Sequence, residues 1–252
     1  MAMKRYWPYA SFVALLVVWQ LVLVTFNVPK FMFPSPAEVA GALYQMLIDG
    51  QLYRNSVASL YRVTWGFYLA LSTAVPLGLL LGRQRKFRAF LNPLIQFLRP
   101  ISPLAWIPMA LMWFGIGDRP AIFLIFLASF FPLVVFTTSA VLNIRSTYLR
   151  VAENFGLKGK QLYLRVILPA VLPEIITAIR ITLGTAWLVI VAAEMIAVKS
   201  GLGYLIIDAR NSLRMDNVVA GMVAIGAIGL VLDCIVRFLE RMPSVKWSRR
   251  RR

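Results

Sequence analysis

An all-α, membrane-embedded bundle of six spans is the fold class this sequence predicts, and three observations carry it. The 252 residues are 60% hydrophobic, with a mean hydropathy of +0.75; soluble domains sit near half apolar. Apolar runs at about 8–26, 64–82, 93–115, 120–142, 173–198 and 217–239 approach the ~20 residues that a helix needs to cross a ~30 Å hydrocarbon core. They are too long, and too uniformly apolar, for the ~9–11-residue alternating strands of a barrel. Finally, with the N-terminus set in the cytoplasm, eighteen of the 27 Lys and Arg fall on inside segments (1–7, 83–92, 143–172, 237–252). Seven fall on outside segments (27–63, 116–119, 199–216), and Arg99 and Arg180 lie within spans. This asymmetry fits the positive-inside rule with both termini cytoplasmic.

The first run follows a basic start, but it is too long for a signal peptide and no small-residue cleavage site follows, so it reads as a retained span. Ser35-Pro36-Ala37-Glu38 is a capping box with Pro at the first helical position. Val39, Leu43, Met46 and Leu47 recur behind it at helical spacing, which predicts an outer amphipathic helix at about 36–49, too short to span. The second span ends at Gly82, before the basic turn RQRKFR. Pro93, Pro100, Pro103 and Pro108 interrupt the third. Each proline removes a backbone donor, and broken backbone at membrane depth survives only against protein or water, so Pro103 is a candidate pathway residue.

In the fourth span, Ser129, Thr137, Thr138 and Ser139 are expected to return hydrogen bonds to their own helix, and Gly184, Gly221, Gly226 and Gly229 to mark close helix approaches. No repeat or linker divides the chain, so residues 1–252 read as a single transmembrane domain.

Residues 145–172 form a polar, basic island between two apolar runs. Ser146 starts a helix through Tyr148, Leu149, Ala152 and Phe155, and Gly156 ends it in a left-handed cap. A second helix covers roughly Lys160–Ile167, and Pro169 and Pro173 mark the return to the membrane. Phe155, Leu157 and Tyr163 stand among cations as apolar knobs. A loop that only sets topology needs no more than the four cations of 83–92, so this helix-turn-helix is expected to dock a cytoplasmic partner.

Ionisable residues inside spans are functional candidates. Arg180 and Glu194 stand fourteen residues apart, on one face and about 21 Å apart along a helix. Thr177, Gly184 and Trp187 fall near the same stripe, which predicts an anion pathway with Arg180 toward its inner end and Glu194 toward its outer gate. Asp233 has Arg237 at i+4 and reads as a local pair.

The spacing Ala152…Gly156…Ile167-Leu168-Pro169 resembles the cytoplasmic EAA motif of ABC importer permeases, with Arg150-Val151-Ala152 at the Glu-Ala-Ala positions. The segments LRPISPLAWIPMALMWFGIG, VILPAVLPEIITAIRITLG and VAAEMIAVKSGLGYLIIDARNSLRMD resemble the nitrate, sulfonate, taurine and bicarbonate branch of that family. The resemblance implies the type I permease fold in a bacterial inner membrane. It implies two permease copies (a homodimer or a pair of permeases), two cytoplasmic ATPases that carry the ATP and Mg, and an external substrate-binding protein. It assigns coupling to Arg150, Val151, Ala152, Glu153, Phe155, Gly156, Leu157, Tyr163, Leu168 and Pro169.

The chain has no G-x-x-x-x-G-K-[ST] phosphate loop of its own, because Gly156-Leu157-Lys158-Gly159-Lys160 has the wrong spacing. ATP-driven work is therefore expected to arrive through a partner, and no cofactor or metal is expected in this chain. The absence of His and the single Cys leave no plausible catalytic set and no zinc site. The net charge of +17 is gathered on the inside segments and at Arg249–Arg252, which points to lipid rather than nucleic acid. A stand-alone secondary transporter or channel is the alternative, but it would call for repeat symmetry and many intramembrane carboxylates. The expected cargo is a small oxyanion, with a sulfonate or taurine ahead of nitrate or bicarbonate.

Overall fold

The computed structural model describes residues 7–27, 29 and 32–240, and among these every regular element is helical. The basic start of the chain and the Arg249–Arg252 run lie outside the described residues, as does the side chain of Glu153. The helices are α1 (Trp7–Thr25), α2 (Pro36–Ile48), α3 (Gln51–Arg83), α4 (Arg85–Leu98), α5 (Ile107–Phe114), α6 (Asp118–Leu142), α7 (Ser146–Asn154), α8 (Gly159–Leu162), α9 (Leu168–Ala197), α10 (Leu202–Asn211) and α11 (Met215–Glu240). Four stretches are long and apolar enough to cross a membrane: Gln51–Arg83, Asp118–Leu142, Gly159–Ala197 and Met215–Phe238. A fifth candidate is the pair Arg85–Leu98 and Pro103–Phe114, bent by 84°. The first apolar helix is shorter, at Ala10–Thr25.

The third expected span is therefore two half-helices rather than one kinked rod. Pro103 opens a 3-10 turn, Pro103–Trp106, directly after the bend, because proline's fixed φ suits the first position of a helix and not its interior.

The chain divides into two compact units. One comprises residues 1–59 and 200–227, the other 60–199 and 228–252.

In the first unit the capping box forms as expected. The Ser35 N–H donates to Glu38 Oε2 at 2.8 Å, and the Glu38 N–H donates to Ser35 Oγ at 3.3 Å. The apolar face of α2 buries Val39, Ala42 and Met46 in a cluster with Leu205 and Ala220, while Leu47 points away and is exposed. α10 has no capping side chain of its own. Asn55 Oδ1 and Ser59 Oγ on α3 accept the N–H groups of Gly201 and Leu202 at 2.8 and 2.9 Å, satisfying donors that the helix start leaves over.

In the second unit α3 lies against α6 along a row of small residues: Gly66, Ala70, Ala74, Gly78 and Gly82, one every four residues. A Cβ at Gly66, Gly78 or Gly82 would sit 2.7, 2.6 or 2.4 Å from Ile125, Thr137 or Val141. In lipid, where apolar side chains gain nothing by leaving their solvent, such close backbone approach is the main source of helix–helix attraction. Ala70, Ala74 and Leu81 join Ile95, Leu133, Val134 and Ala178 in one core, which ties α3, α4, α6 and α9 together. A second core joins the ends of α6 and α7 to the start of α9, through Val141, Ala152, Leu162, Ile167, Val171 and Ile175.

Two expectations about small and polar residues need correction. Among the described residues, Gly221 and Gly229 of the four noted glycines stand in tight contacts, while nothing lies within 4 Å of a Cβ at Gly184 or Gly226. The hydroxyls of α6 do not all turn back on their own helix, since Thr138 Oγ1 donates to Gly78 O of α3 at 3.3 Å. Among the described residues, the buried hydroxyls of Ser129 and Thr137 have no hydrogen-bond partner.

Candidate functional site

Two regions gather the residues that the sequence singled out. The first is the 145–172 loop. α7 ends as expected: Gly156 has φ +70°, and the Leu157 N–H reaches back five residues to Ala152 O at 3.0 Å. Such a closure needs a left-handed residue, which glycine supplies at no steric cost. The apolar contact that accompanies it is present too, with Leu157 packed on the cluster that buries Ala152.

The second half of the loop differs from the expectation. After α8 a π turn, Tyr163–Ile167, runs directly into α9 with no break at Pro169 or Pro173. The Leu168 N–H donates to Tyr163 O. The widened turn gives room for the Pro169 ring, whose nitrogen has no proton to donate.

Between α7 and the start of α9 lies a cavity of about 530 Å³, walled by Val151, Ala152, Phe155, Leu157 and Pro169, with Arg165 beside them. Five of the loop candidates thus share one apolar hollow. Phe155 stands next to it with 80% of its surface exposed. Arg150 is exposed outside the hollow, and Tyr163 and Leu168 are partly buried against the second core.

The second region is the charged stripe of α9, and the structure splits it. Thr177 and Gly184 are exposed, and Thr177 Oγ1 donates to Pro173 O at 3.1 Å. Arg180 is about a third exposed, and its Nε donates to Asp233 Oδ1 at 2.7 Å. Asp233 is not simply the local partner of Arg237. It receives Arg237 Nε on Oδ2 at 2.7 Å and Arg180 on Oδ1, which joins α9 to α11. Trp187 is buried, with its indole nitrogen 3.1 Å from where a Cβ would stand on Gly229.

Glu194 is fully buried, and Arg62 Nη1 donates to its Oε1 at 2.6 Å. Arg62 is itself only 2% exposed, and its Nε donates to Asp118 Oδ1 at 2.8 Å. Arg180 and Glu194 thus share a helix face but not an environment: one stands on an open side, the other in a closed ionic joint of α3, α6 and α9.

Arg62 is the residue that sequence reasoning passed over, because it was counted with an outside loop. A signal was available. Arg62 precedes Gly66 by four residues and continues the small-residue row, so a cation in that register had to be packed against a neighbouring helix.

Comparison with known proteins gives a consistent picture. Residues 74–244 match the family profile described as binding-protein-dependent transport system inner membrane component. A Methanocaldococcus jannaschii chain named as an ABC transporter permease protein is 41% identical over 229 residues, covering 89% of this chain and 85% of that one. The taurine transport system permease protein TauC of Escherichia coli is 35% identical over 232 residues, 90% of this chain and 84% of its own. The bicarbonate transport system permease protein CmpB of Synechococcus elongatus is 35% identical over 243 residues, 93% and 87% of the two chains. Among solved structures, the MetNI methionine ABC transporter in inward-facing conformations superposes with a TM-score of 0.60 at 20% identity, over 73% of this chain and 94% of that one. At that identity the likeness concerns the fold.

Proposed function

Because this chain belongs to the binding-protein-dependent transport system inner membrane components, and is a multi-pass membrane subunit of that kind, we propose that it forms the translocation pathway of an importer for a small oxyanion. The cargo would be a sulfonate such as taurine first, nitrate or bicarbonate next. Relatives named for taurine and bicarbonate transport support the class. So does the exposed side of α9, where Arg180 stands with Thr177 and Gly184, and with Glu174 exposed six residues before it. A guanidinium facing hydrocarbon is costly, so this side calls for water or a second permease copy, as in a pathway between two protomers.

The observation that carries the coupling reading is the apolar hollow beside α7, with Phe155 exposed at its edge. An ATPase subunit seated there would receive or supply an apolar knob. Its ATP-driven closure would push α7 as a rigid piece against the start of α9, because the two share one packed core. ATP and Mg belong to that ATPase, and substrate delivery belongs to an external binding protein.

Replacing Phe155 by alanine is expected to leave the fold intact, since an exposed side chain contributes little to stability. The ATPase should be held at least about thirtyfold more weakly, the scale of an aromatic interface anchor. Co-purification and binding titration with the cognate ATPase check this, and unchanged affinity would sink the coupling assignment. For the cargo, proteoliposomes carrying the complete transporter are expected to take up taurine or alkanesulfonates in preference to nitrate and bicarbonate. Uptake that persists without ATP would favour a stand-alone transporter.

A further inference from the structure

A smaller cavity, of about 140 Å³, lies among α3, α4 and α6, at the ends that the charge asymmetry assigns to the cytoplasm. Its polar wall consists of Arg88, Asn92 and Gln96 from α4 and Thr138 and Ser139 from α6. The three α4 residues are spaced by four, so they form one polar stripe on a helix whose other side carries Phe87, Phe90, Leu94 and Phe97. Arg88, Asn92, Gln96 and Ser139 can each donate a hydrogen bond into the cavity, the Thr138 hydroxyl is spent on Gly78 O of α3, and none of the five is a carboxylate.

The surrounding sequence supplies no counter-anion. There is no Asp or Glu between Asp49 and Asp118, nor from Arg119 to Leu142, so the parts of α3, α4 and α6 that wall the cavity contribute cations and neutral groups only. Among the described residues Arg88 has no carboxylate partner. Its Nη1 spans the last carbonyls of α3, Leu81 O at 3.5 Å and Gly82 O at 3.4 Å. Those long contacts hold the guanidinium in place and offset the negative end of α3. They leave Nε and Nη2 for another acceptor.

We propose that this cavity binds one tetrahedral oxyanion group, a sulfonate or a phosphate. A guanidinium fork flanked by amide and hydroxyl donors is suited to such a group. At ~30 Å³ per water the space holds about four or five waters, enough for one such group and a short substituent but not for a nucleotide. Val134, Val135 and Leu142, which also line the cavity from α6, suit the carbon that a sulfonate or phosphate ester carries. Two sources share this chemistry: a solute in the cytoplasmic half of the pathway, and the headgroup of an anionic phospholipid in the inner leaflet. The site stands whether or not the imported solute is a sulfonate.

The test uses the full chain, with the partners that purify with it, in nanodiscs of phosphatidylcholine. Its thermal unfolding midpoint is followed while taurine or inorganic phosphate is titrated, and again after phosphatidylglycerol is introduced. We expect a rise in midpoint in at least one arm, with the half-point of the titration shifted about tenfold or more by Arg88→Gln, the effect of one charge-assisted hydrogen bond. Arg85→Gln removes the same charge from an exposed neighbour outside the cavity and should leave the response unchanged. Asn92→Ala, at an exposed position, tests the same wall if Arg88→Gln does not fold. A response to the solutes in phosphatidylcholine identifies a free oxyanion as ligand, and a response to phosphatidylglycerol alone identifies the lipid headgroup. No rise in any arm, or equal loss in the Arg85 and Arg88 variants, would overturn the site.

Discussion

Glu194→Ala is expected to destabilise the protein by about 3–5 kcal/mol, because it strands the Arg62 guanidinium in a closed site. Arg62 is 2% exposed and Glu194 is fully buried, so neither charge can be rehydrated without opening the joint of α3, α6 and α9. Arg62→Met should do similar damage by stranding Glu194. The double variant Arg62→Met/Glu194→Met should recover most of the loss, since a buried pair replaced by apolar residues of similar volume is commonly near neutral. Glu194→Gln, which keeps an acceptor oxygen, should fall between wild type and Glu194→Ala. Asp118→Asn should cost less than about 1 kcal/mol, because its carboxylate is half exposed. Thermal unfolding of the detergent-solubilised protein measures all five variants. A double variant that melts below Arg62→Met, the single variant it extends, would show that removing the second charge recovers nothing and that the pair is not energetically coupled.

The second large effect is steric. Gly82→Ala should cost more than about 2 kcal/mol, because the new Cβ would stand 2.4 Å from Val141 Cβ. Both atoms are fixed directly to helix backbones, so no rotamer change relieves the overlap and α3 and α6 must separate. Separation would also loosen the core containing Ala74, Leu81 and Val134. Val141→Gly in the same chain should restore part of the loss by removing the opposing atom. Gly41→Ala is the matching control. It makes the same chemical change within α2, where nothing lies within 4 Å, and should stabilise by about 0.5–1 kcal/mol through helix propensity. If Gly82→Ala melts like the wild type, the α3–α6 seam is looser than its geometry indicates.

Much of the fold was legible because the membrane makes local sequence informative. Apolar length locates helices, so α6, α9 and α11 fall close to their expected places. The start of α2 and the end of α7 were legible for the same local reason: Ser35 with Glu38, and Gly156, each complete a cap within a few residues of chain. The 159–197 helix was not, because a proline reads as a stop and only the preceding π turn allows the helix to run on through Pro169.

The candidate site was legible as a set of residues but not as a set of partners. The loop knobs Phe155 and Leu157 were identifiable among cations, whereas the hollow they border depends on α7 folding back toward Val166 and Pro169. Arg180 and Glu194 were visible as charges in an apolar helix. Their assignments to Asp233 and Arg62 were not, since those partners lie 53 and 132 residues away.

The sequence by itself determined that this is a helical membrane protein, where its apolar helices lie, and where its polar 145–172 loop lies. These follow from hydropathy, helical period and capping, all short-range along the chain. Only the tertiary structure decided that α6 fills the small-residue row of α3, that Glu194 closes an ionic joint while Arg180 stays on an open side, and that the stripe of α4 meets Thr138 and Ser139. Those outcomes depend on which helices approach one another, and the free energy of that choice resides in contacts between residues that are neighbours only in space.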